Sequence, residues 1–136
     1  MWCDLCRSLP QFPRLSLLEE RRLIARAKQG SKREIDEIVL RHVDFVAFRI
    51  GRKAFRHYRE RFGSDMLSEA VFILYETVKT YNLRYRDKQG DLKPVRFSSY
   101  IGKRVDGFIL DFVREASTRE SKRVTLDPER CPGTEI

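Results

Sequence analysis

Residues 64–115 decide the fold of this chain: SDMLSEAVFILYETVKTYN (64–82), LRYRDKQGDLKPV (83–95) and RFSSYIGKRVDGFILDFVRE (96–115). In the third segment, apolar residues recur with a helical period, at Ile101, Val105, Phe108, Ile109 and Phe112. This spacing predicts a helix with one buried face. The first segment predicts a second amphipathic helix, and a loop crowded with Arg, Lys and Tyr joins the two.

Two more helices are predicted upstream. The sequence SLLE at 16–19 is a capping box, and it predicts a short helix that ends at Gly30. The sequence SKRE at 31–34 repeats the pattern and predicts a long helix to about residue 62, loosened near Gly51, with a break at residues 62–63. Ser64 then serves as the N-cap of the next helix.

With 136 residues, the chain is long enough for one domain with its own core. We expect an all-α fold, a compact bundle of about four main helices over residues 16–116. Residues 1–15 contain two prolines and predict an irregular lead-in. Residues 117–136 predict a polar linker or tail, with at most an extended piece at 124–126.

The charge balance predicts a polyanionic partner. The formal net charge is +8, and 35% of the residues are charged. Charge alone does not separate a nucleic-acid binder from other basic proteins. The longest apolar run covers only residues 70–74, far short of the roughly 20 residues that a bilayer requires. With no secretion signal in the sequence, we expect a cytoplasmic protein without membrane association.

Cysteine and histidine chemistry is not expected to carry the function. Cys3, Cys6 and Cys131 cannot all pair within one chain, and a zinc site would have to recruit His42 or His57 as well. We interpret the three thiols as reduced and incidental. No glycine-rich phosphate loop or nucleophile–base pair occurs at usable spacing, so neither enzyme activity nor a metal or cofactor is predicted.

A basic stretch at residues 49–61 allows two interpretations. Its cations could follow a phosphate backbone from one side of a helix, or they could form a solvated face whose stems cover apolar surface. The six cations, opposed only by Glu60, are Arg49, Arg52, Lys53, Arg56, Arg59 and Arg61.

The order of motifs resembles a known family. Asp65, Glu69 and Ala70 form a DxxxEA pattern, an apolar helix follows to Tyr81, and RFSSY stands at 96–100. Together these are similar to region 2 of bacterial sigma-70 family transcription initiation factors, with part of region 1.2 upstream. Residues 104–114 look closest to the alternative, flagellar-type branch. The chain is too short to contain region 4, the second DNA-reading domain of a complete member.

The resemblance implies that the 64–82 helix binds core RNA polymerase, at the clamp helices of the largest subunit. Ser68 and Val71 stand where the family usually has amide side chains. For Asp65, the alternative to a polymerase contact is that its carboxylate only stabilises the N-terminal end of a helix dipole. The matching positions are Asp65, Ser68, Glu69, Val71 and Tyr75.

The resemblance also implies capture of non-template bases from the melted minus-ten promoter element. Independently, tyrosines interleaved with cations are typical of single-strand binding surfaces. Phe97 is instead assigned to the core. The predicted DNA-binding residues are Tyr81, Arg84, Arg86, Arg96, Tyr100, Lys103, Arg104 and Gly107.

Several of these positions depart from the family. Lys103 and Arg104 stand where housekeeping members carry a tryptophan pair, so we expect weaker melting. Gly107 and Leu110 cannot hydrogen-bond a base edge from the side chain, which predicts a divergent promoter preference. One alternative is a polymerase-docking regulator or split subunit, which has lost promoter reading or needs a separate region 4 partner. An anti-sigma protein is a further candidate partner. A second alternative is a generic basic helical nucleic-acid binder.

Overall fold

The protein is all-α in a computed structural model that describes residues 2–92 and 95–126, which confirms the predicted fold class. No β-strand forms within these ranges, where an isolated antiparallel bridge joins Arg86 to Leu92 in the loop after the fifth helix. The helices are α1 (Trp2–Ser8), α2 (Leu17–Lys28), α3 (Lys32–Leu40), α4 (Val43–Lys53), α5 (Arg56–Thr80) and α6 (Phe97–Leu126).

Helix α5 is the centre of the bundle, because all five other helices pack against it. Its buried stripe repeats every four residues, as expected for one helical face, at Met66, Ala70, Leu74 and Val78. Helix α6 buries Ile101, Val105 and Ile109 completely, so the predicted core face is confirmed. Phe108 and Phe112 lie at its edge and are partly buried.

The long helix predicted from residue 31 onward is wrong, because the chain bends twice. At the first bend, Nδ1 of His42 lies 2.8 Å from the Ile38 carbonyl oxygen, and the His42 amide bonds to Val39 instead. A side chain thus competes with the helical backbone bond. At the second bend, Arg59 donates to the Gly51 carbonyl at 2.9 Å and satisfies the end of α4.

The predicted break at residues 62–63 is also wrong, since α5 runs through it. Gly63 has a packing role: a Cβ at this position would lie 2.4 Å from Cε3 of Trp2. The indole of Trp2 therefore occupies the space of a side chain. Ser64 is not an N-cap, and Asp65 lies too far from the end of α5 for its carboxylate to support the helix dipole.

Both ends of the chain contain more helix than predicted. Residues 2–8 form α1, whose buried Trp2 packs on α5, so the expectation of an irregular lead-in is wrong there. Helix α6 continues to Leu126, so the extended piece at 124–126 is wrong as well. Predictions about Lys93, Pro94 and residues 127–136, including Cys131, lie outside the described residues.

The capping predictions have mixed outcomes. Ser16 and Glu19 form the predicted reciprocal box at the start of α2, and Gly30 follows the helix with φ of +95°. Ser31 makes no capping bond to the backbone, because its hydroxyl donates to the carboxylate of Glu34 instead.

Glu20 of α2 is a buried carboxylate that joins three parts of the fold. Oε1 accepts from the Phe97 amide at 3.2 Å, at the first residue of α6, and lies 3.6 Å from Nε2 of His42. Nη1 of Arg96 lies 3.4 Å from Oε2. The negative charge therefore meets the positive end of the α6 dipole. Glu20 fixes where α6 begins relative to α2 and to the bend before α4.

Substitution of Gly63 tests the Trp2 contact. We expect Gly63→Ala to lower the free energy of unfolding by about 1–3 kcal/mol, because the rigid indole must move. Gly107→Ala is the matched control: a Cβ there meets no atom within 4 Å, so better helix propensity should raise stability by about 0.5–1 kcal/mol. Urea unfolding monitored by circular dichroism measures both. Equal effects in the two variants would contradict the packing role.

Removal of the Glu20 carboxylate should destabilise the whole bundle. Glu20→Ala leaves the first α6 amide and Arg96 without their buried partner, so we expect a loss of about 2–4 kcal/mol. Glu37→Ala removes an exposed carboxylate that pairs only with Arg41 on the same helix, and should cost less than about 0.5 kcal/mol. The same urea titration compares them; a Glu20 variant as stable as the Glu37 variant would refute the role of this carboxylate.

Candidate nucleic-acid interface

A cleft of about 540 Å³ opens between the 81–96 loop and the first turns of α6. We call it the aromatic cleft. Tyrosine rings and lysine side chains line it, together with short polar residues. The lining residues are Tyr81, Asn82, Tyr85, Asp87, Lys88, Val95, Ser99, Tyr100 and Lys103. The composition that suggested a single-strand surface in the sequence is thus gathered around one opening.

Tyr100 is the aromatic residue that α6 contributes to the cleft. It is half-buried, and its ring packs edge-on against Tyr81 with centroids 5.3 Å apart. Cζ of Arg104 lies 5.6 Å from the ring centroid, a cation–π arrangement. A base that stacks on Tyr100 would therefore have a guanidinium within reach of its phosphate.

Tyr81 has a structural role in the floor of the cleft. Its side chain is 2% exposed, its hydroxyl donates to the Val95 carbonyl, and burial raises the pKa of the phenol. Its ring also meets Phe97 edge-on at 5.6 Å. Phe97 is completely buried, as predicted. Tyr81 therefore supports Tyr100 and does not offer a free face of its own.

Among the described cations of the loop after α5, one stabilises the loop and two extend into solvent. Arg86 donates to the Gly90 carbonyl at 2.8 Å, which closes a turn with Gly90 at φ of +86°. Arg84 and Lys88 are exposed. Arg84 and Lys88 are thus available to a ligand, whereas the Arg86 guanidinium already holds the loop.

Arg96 lies apart from the other predicted DNA-binding residues. It donates to the Leu15 carbonyl at 2.7 Å and reaches Glu20, so its guanidinium is held in the fold. It lines a different cavity, of about 360 Å³, beside His42. The structure does not bring Arg96 to the aromatic cleft.

Lys103, Arg104 and Gly107 are exposed on consecutive turns of α6. Arg104 and Gly107 border a groove between α5 and α6 that also contains Glu69. Gly107 presents no side chain to this groove. The exposed face of α6 therefore carries the cations Lys103 and Arg104 near its start, and at Gly107, one turn later, it has no side chain that could contact a ligand.

An acidic ridge runs along the exposed side of α5, defined by Asp65, Ser68, Glu69, Phe72 and Glu76. Phe72 is 72% exposed, so a large apolar ring stands among carboxylates. Phe72 was not among the predicted polymerase-binding residues, although its position seven residues after Asp65 places it on the same helical face.

Two predicted polymerase-binding residues, Val71 and Tyr75, are partly buried. The Tyr75 hydroxyl donates to Oδ1 of Asp36 at 2.8 Å, and this hydrogen bond raises the pKa of the phenol. Val71 is partly buried against the core on the same side of α5. Asp65, Ser68 and Glu69 are thus exposed to a partner, whereas Val71 and Tyr75 are partly buried in contacts within the fold.

The basic stretch at 49–61 does not form one helical side, because the bend after α4 divides it. Arg49 pairs with Asp106, with Nε 2.9 Å from Oδ1, and this bond raises the pKa of the guanidinium. Arg59 caps α4, and Arg61 donates to Glu120 at 2.6 Å. The exposed remainder is Arg52, Lys53 and Arg56.

Neither a membrane-spanning helix nor a cluster of metal ligands occurs in the described part of the chain. No helix there is both long and apolar enough to cross a bilayer. No three His, Cys, Asp or Glu side chains in the same ranges converge as metal ligands. In comparisons with known proteins, no family model, curated protein or solved structure matches the chain.

Tyr100 and Tyr81 should separate binding from stability. We expect Tyr100→Ala to weaken single-stranded DNA binding by about 1–3 kcal/mol, the usual cost of a lost base–aromatic stack, with little change in stability. Tyr81→Ala removes a buried ring and should instead lower the free energy of unfolding by about 3 kcal/mol or more. Fluorescence anisotropy and urea unfolding measure the two effects. Loss of stability without loss of affinity in Tyr100→Ala would assign this ring to the core.

Proposed function

We propose that this protein is a sigma region 2-like transcription initiation factor that binds core RNA polymerase and captures melted promoter DNA. The observation that carries the proposal is the half-exposed Tyr100, held between Tyr81 and Arg104 at the mouth of the aromatic cleft. The resemblance of the 64–115 sequence to sigma region 2 supplies the partners. The chain itself would supply binding surfaces, and the polymerase would supply catalysis.

The acidic ridge supports the polymerase contact. On a chain with a net charge of +8, Asp65 and Glu69 form a local surface of opposite sign. Charge complementarity favours a basic partner helix, and Arg–carboxylate pairs would fix its register. Phe72, three residues after Glu69, has the character of an interface anchor, a large exposed ring beside polar groups.

The aromatic cleft supports the DNA contact. A base that leaves the duplex could stack on Tyr100 while Lys103 and Arg104 bind its flanking phosphates. The positions of Lys103 and Arg104 are cationic rather than aromatic, so capture of bases after melting is favoured over wedging of the duplex. This arrangement fits a promoter whose minus-ten element opens easily or is opened with help from a separate region 4 partner.

A second candidate function rests on the next turns of α6. Gly107 offers no side chain, and Leu110 exposes an apolar one, so neither can read a base edge. A chain that docks on polymerase but does not read promoters would act as a regulator or a decoy. Such a protein would keep the acidic ridge as its working surface.

Charge reversal on the ridge tests polymerase docking. We expect the double variant Asp65→Arg, Glu69→Arg to lose capture of purified core RNA polymerase, because arginines would meet a basic partner. The control Glu60→Arg, Glu115→Arg makes the same charge change at exposed positions outside the ridge, and should bind like the wild type. Circular dichroism establishes that both variants are folded. Undiminished binding by the ridge variant would overturn the docking surface.

Run-off transcription then separates the two candidate functions. A promoter-reading factor supports initiation by core polymerase on a premelted template, with any region 4 partner supplied. A docking regulator binds core polymerase and supports none, on duplex or premelted DNA. The control is the Tyr100→Ala variant, which should dock normally and initiate less.

A further inference from the structure

The corner between α4 and α5 exposes two phenylalanine rings beside three exposed cations. Phe48 is 57% exposed and Phe55 is 74% exposed. The surrounding cations are exposed as well. We call this surface the aromatic corner, defined by Phe48, Arg52, Lys53, Phe55 and Arg56.

The charges at the aromatic corner are of one sign. No acidic residue occurs between Asp44 and Glu60 in the sequence. Of the α6 carboxylates on this side, Asp106 binds Arg49 and Glu120 binds Arg61. These pairs leave Arg52, Lys53 and Arg56 to determine the local potential, and their sign selects a polyanion.

The rings make the corner more specific than a basic patch. Cζ of Arg52 lies 5.7 Å from the centroid of Phe48, so the guanidinium and the ring are already neighbours. Phosphate contacts alone require no exposed aromatic residue, whereas unstacked bases lie on aromatic faces while cations hold the backbone. Exposed phenylalanine beside arginine is the composition of a single-strand site.

The corner is continuous with the outer face of α6. Cζ of Phe45 lies 3.7 Å from the position of a Gly102 Cβ, and Arg49 pairs with Asp106 four residues later on each helix. Helices α4 and α6 therefore run side by side in the same direction.

We infer that the aromatic corner is a second binding site for single-stranded nucleic acid, in which bases stack on Phe48 and Phe55 and Arg52, Lys53 and Arg56 bind phosphates. The site is independent of the aromatic cleft and of polymerase docking. Stacking on phenylalanine selects single strands over duplexes but tolerates any base. The site would accept DNA or RNA, because neither the rings nor the cations require or exclude a 2′-hydroxyl.

Fluorescence anisotropy with labelled oligothymidylate and oligouridylate tests the site on the full chain. We expect Phe48→Leu, Phe55→Leu to weaken binding by at least about tenfold, because leucine keeps an apolar side chain but removes the stacking face. Phe48→Tyr, Phe55→Tyr should retain wild-type affinity. Leu18→Ala, an exposed apolar residue on α2, is the surface control and should bind normally.

The same variants in a Tyr100→Ala background separate this site from the cleft. If the corner binds single strands, the leucine pair reduces the residual affinity further, and a self-complementary duplex shows no such loss. Equal affinity of the leucine and tyrosine pairs for single strands would overturn the inference. So would equal losses for duplex and single strand, which indicate phosphate binding alone. Either result leaves the proposed function standing, since that fails only if Tyr100→Ala or the ridge reversal has no effect.

Discussion

The buried carboxylate of Glu20 determines how α2, the bend before α4 and the start of α6 pack together. A charge that is only 4% exposed is costly unless hydrogen bonds and opposite charges compensate it. Here the Phe97 amide and Arg96 at the start of α6, and His42 at the bend before α4, surround it, so its partners come from two separate segments. Any movement of α6 away from α2 would leave a buried charge unpaired. The start of α6 is thereby fixed to the N-terminal half of the chain.

The positions of the exposed surfaces follow from this constraint. With its first turn fixed, α6 holds Tyr100 against Tyr81 and places Arg104 above the ring. Lys28 of α2 stabilises the end of α5 next to the aromatic cleft, since its ammonium group donates to the carbonyl oxygens of Lys79 and Tyr81 at 2.9 and 2.7 Å. These bonds satisfy groups that the end of α5 leaves without helical partners. The aromatic cleft is therefore built on a rigid support, which favours binding without a large ordering cost.

The sequence predicts the helical class and the buried face of α6, because a period sustained over several turns reports burial directly. It fails where a single side-chain contact determines the local structure. Glycine at position 63 suggests a helix break, but α5 continues there because the Trp2 ring, distant in sequence, packs against the space that a side chain would fill. His42 looks like an ordinary helical residue until its ring replaces a backbone bond. In the candidate site, the resemblance groups Tyr100, Arg104 and Arg96. Tyr100 and Arg104 are in contact one helical turn apart, whereas Arg96 binds Leu15 and the buried Glu20, which no local pattern reveals.

Site-specific photocrosslinking in a complex with core RNA polymerase and a premelted promoter tests the central claim most directly. A benzophenone amino acid replaces Phe72 on the acidic ridge in one variant and Tyr100 in the aromatic cleft in another. If the acidic ridge docks on polymerase and the aromatic cleft captures DNA, position 72 crosslinks to the clamp helices of the largest subunit and position 100 to the non-template strand near the minus-ten element. Crosslinks from neither position, or from position 72 to DNA, would contradict this claim.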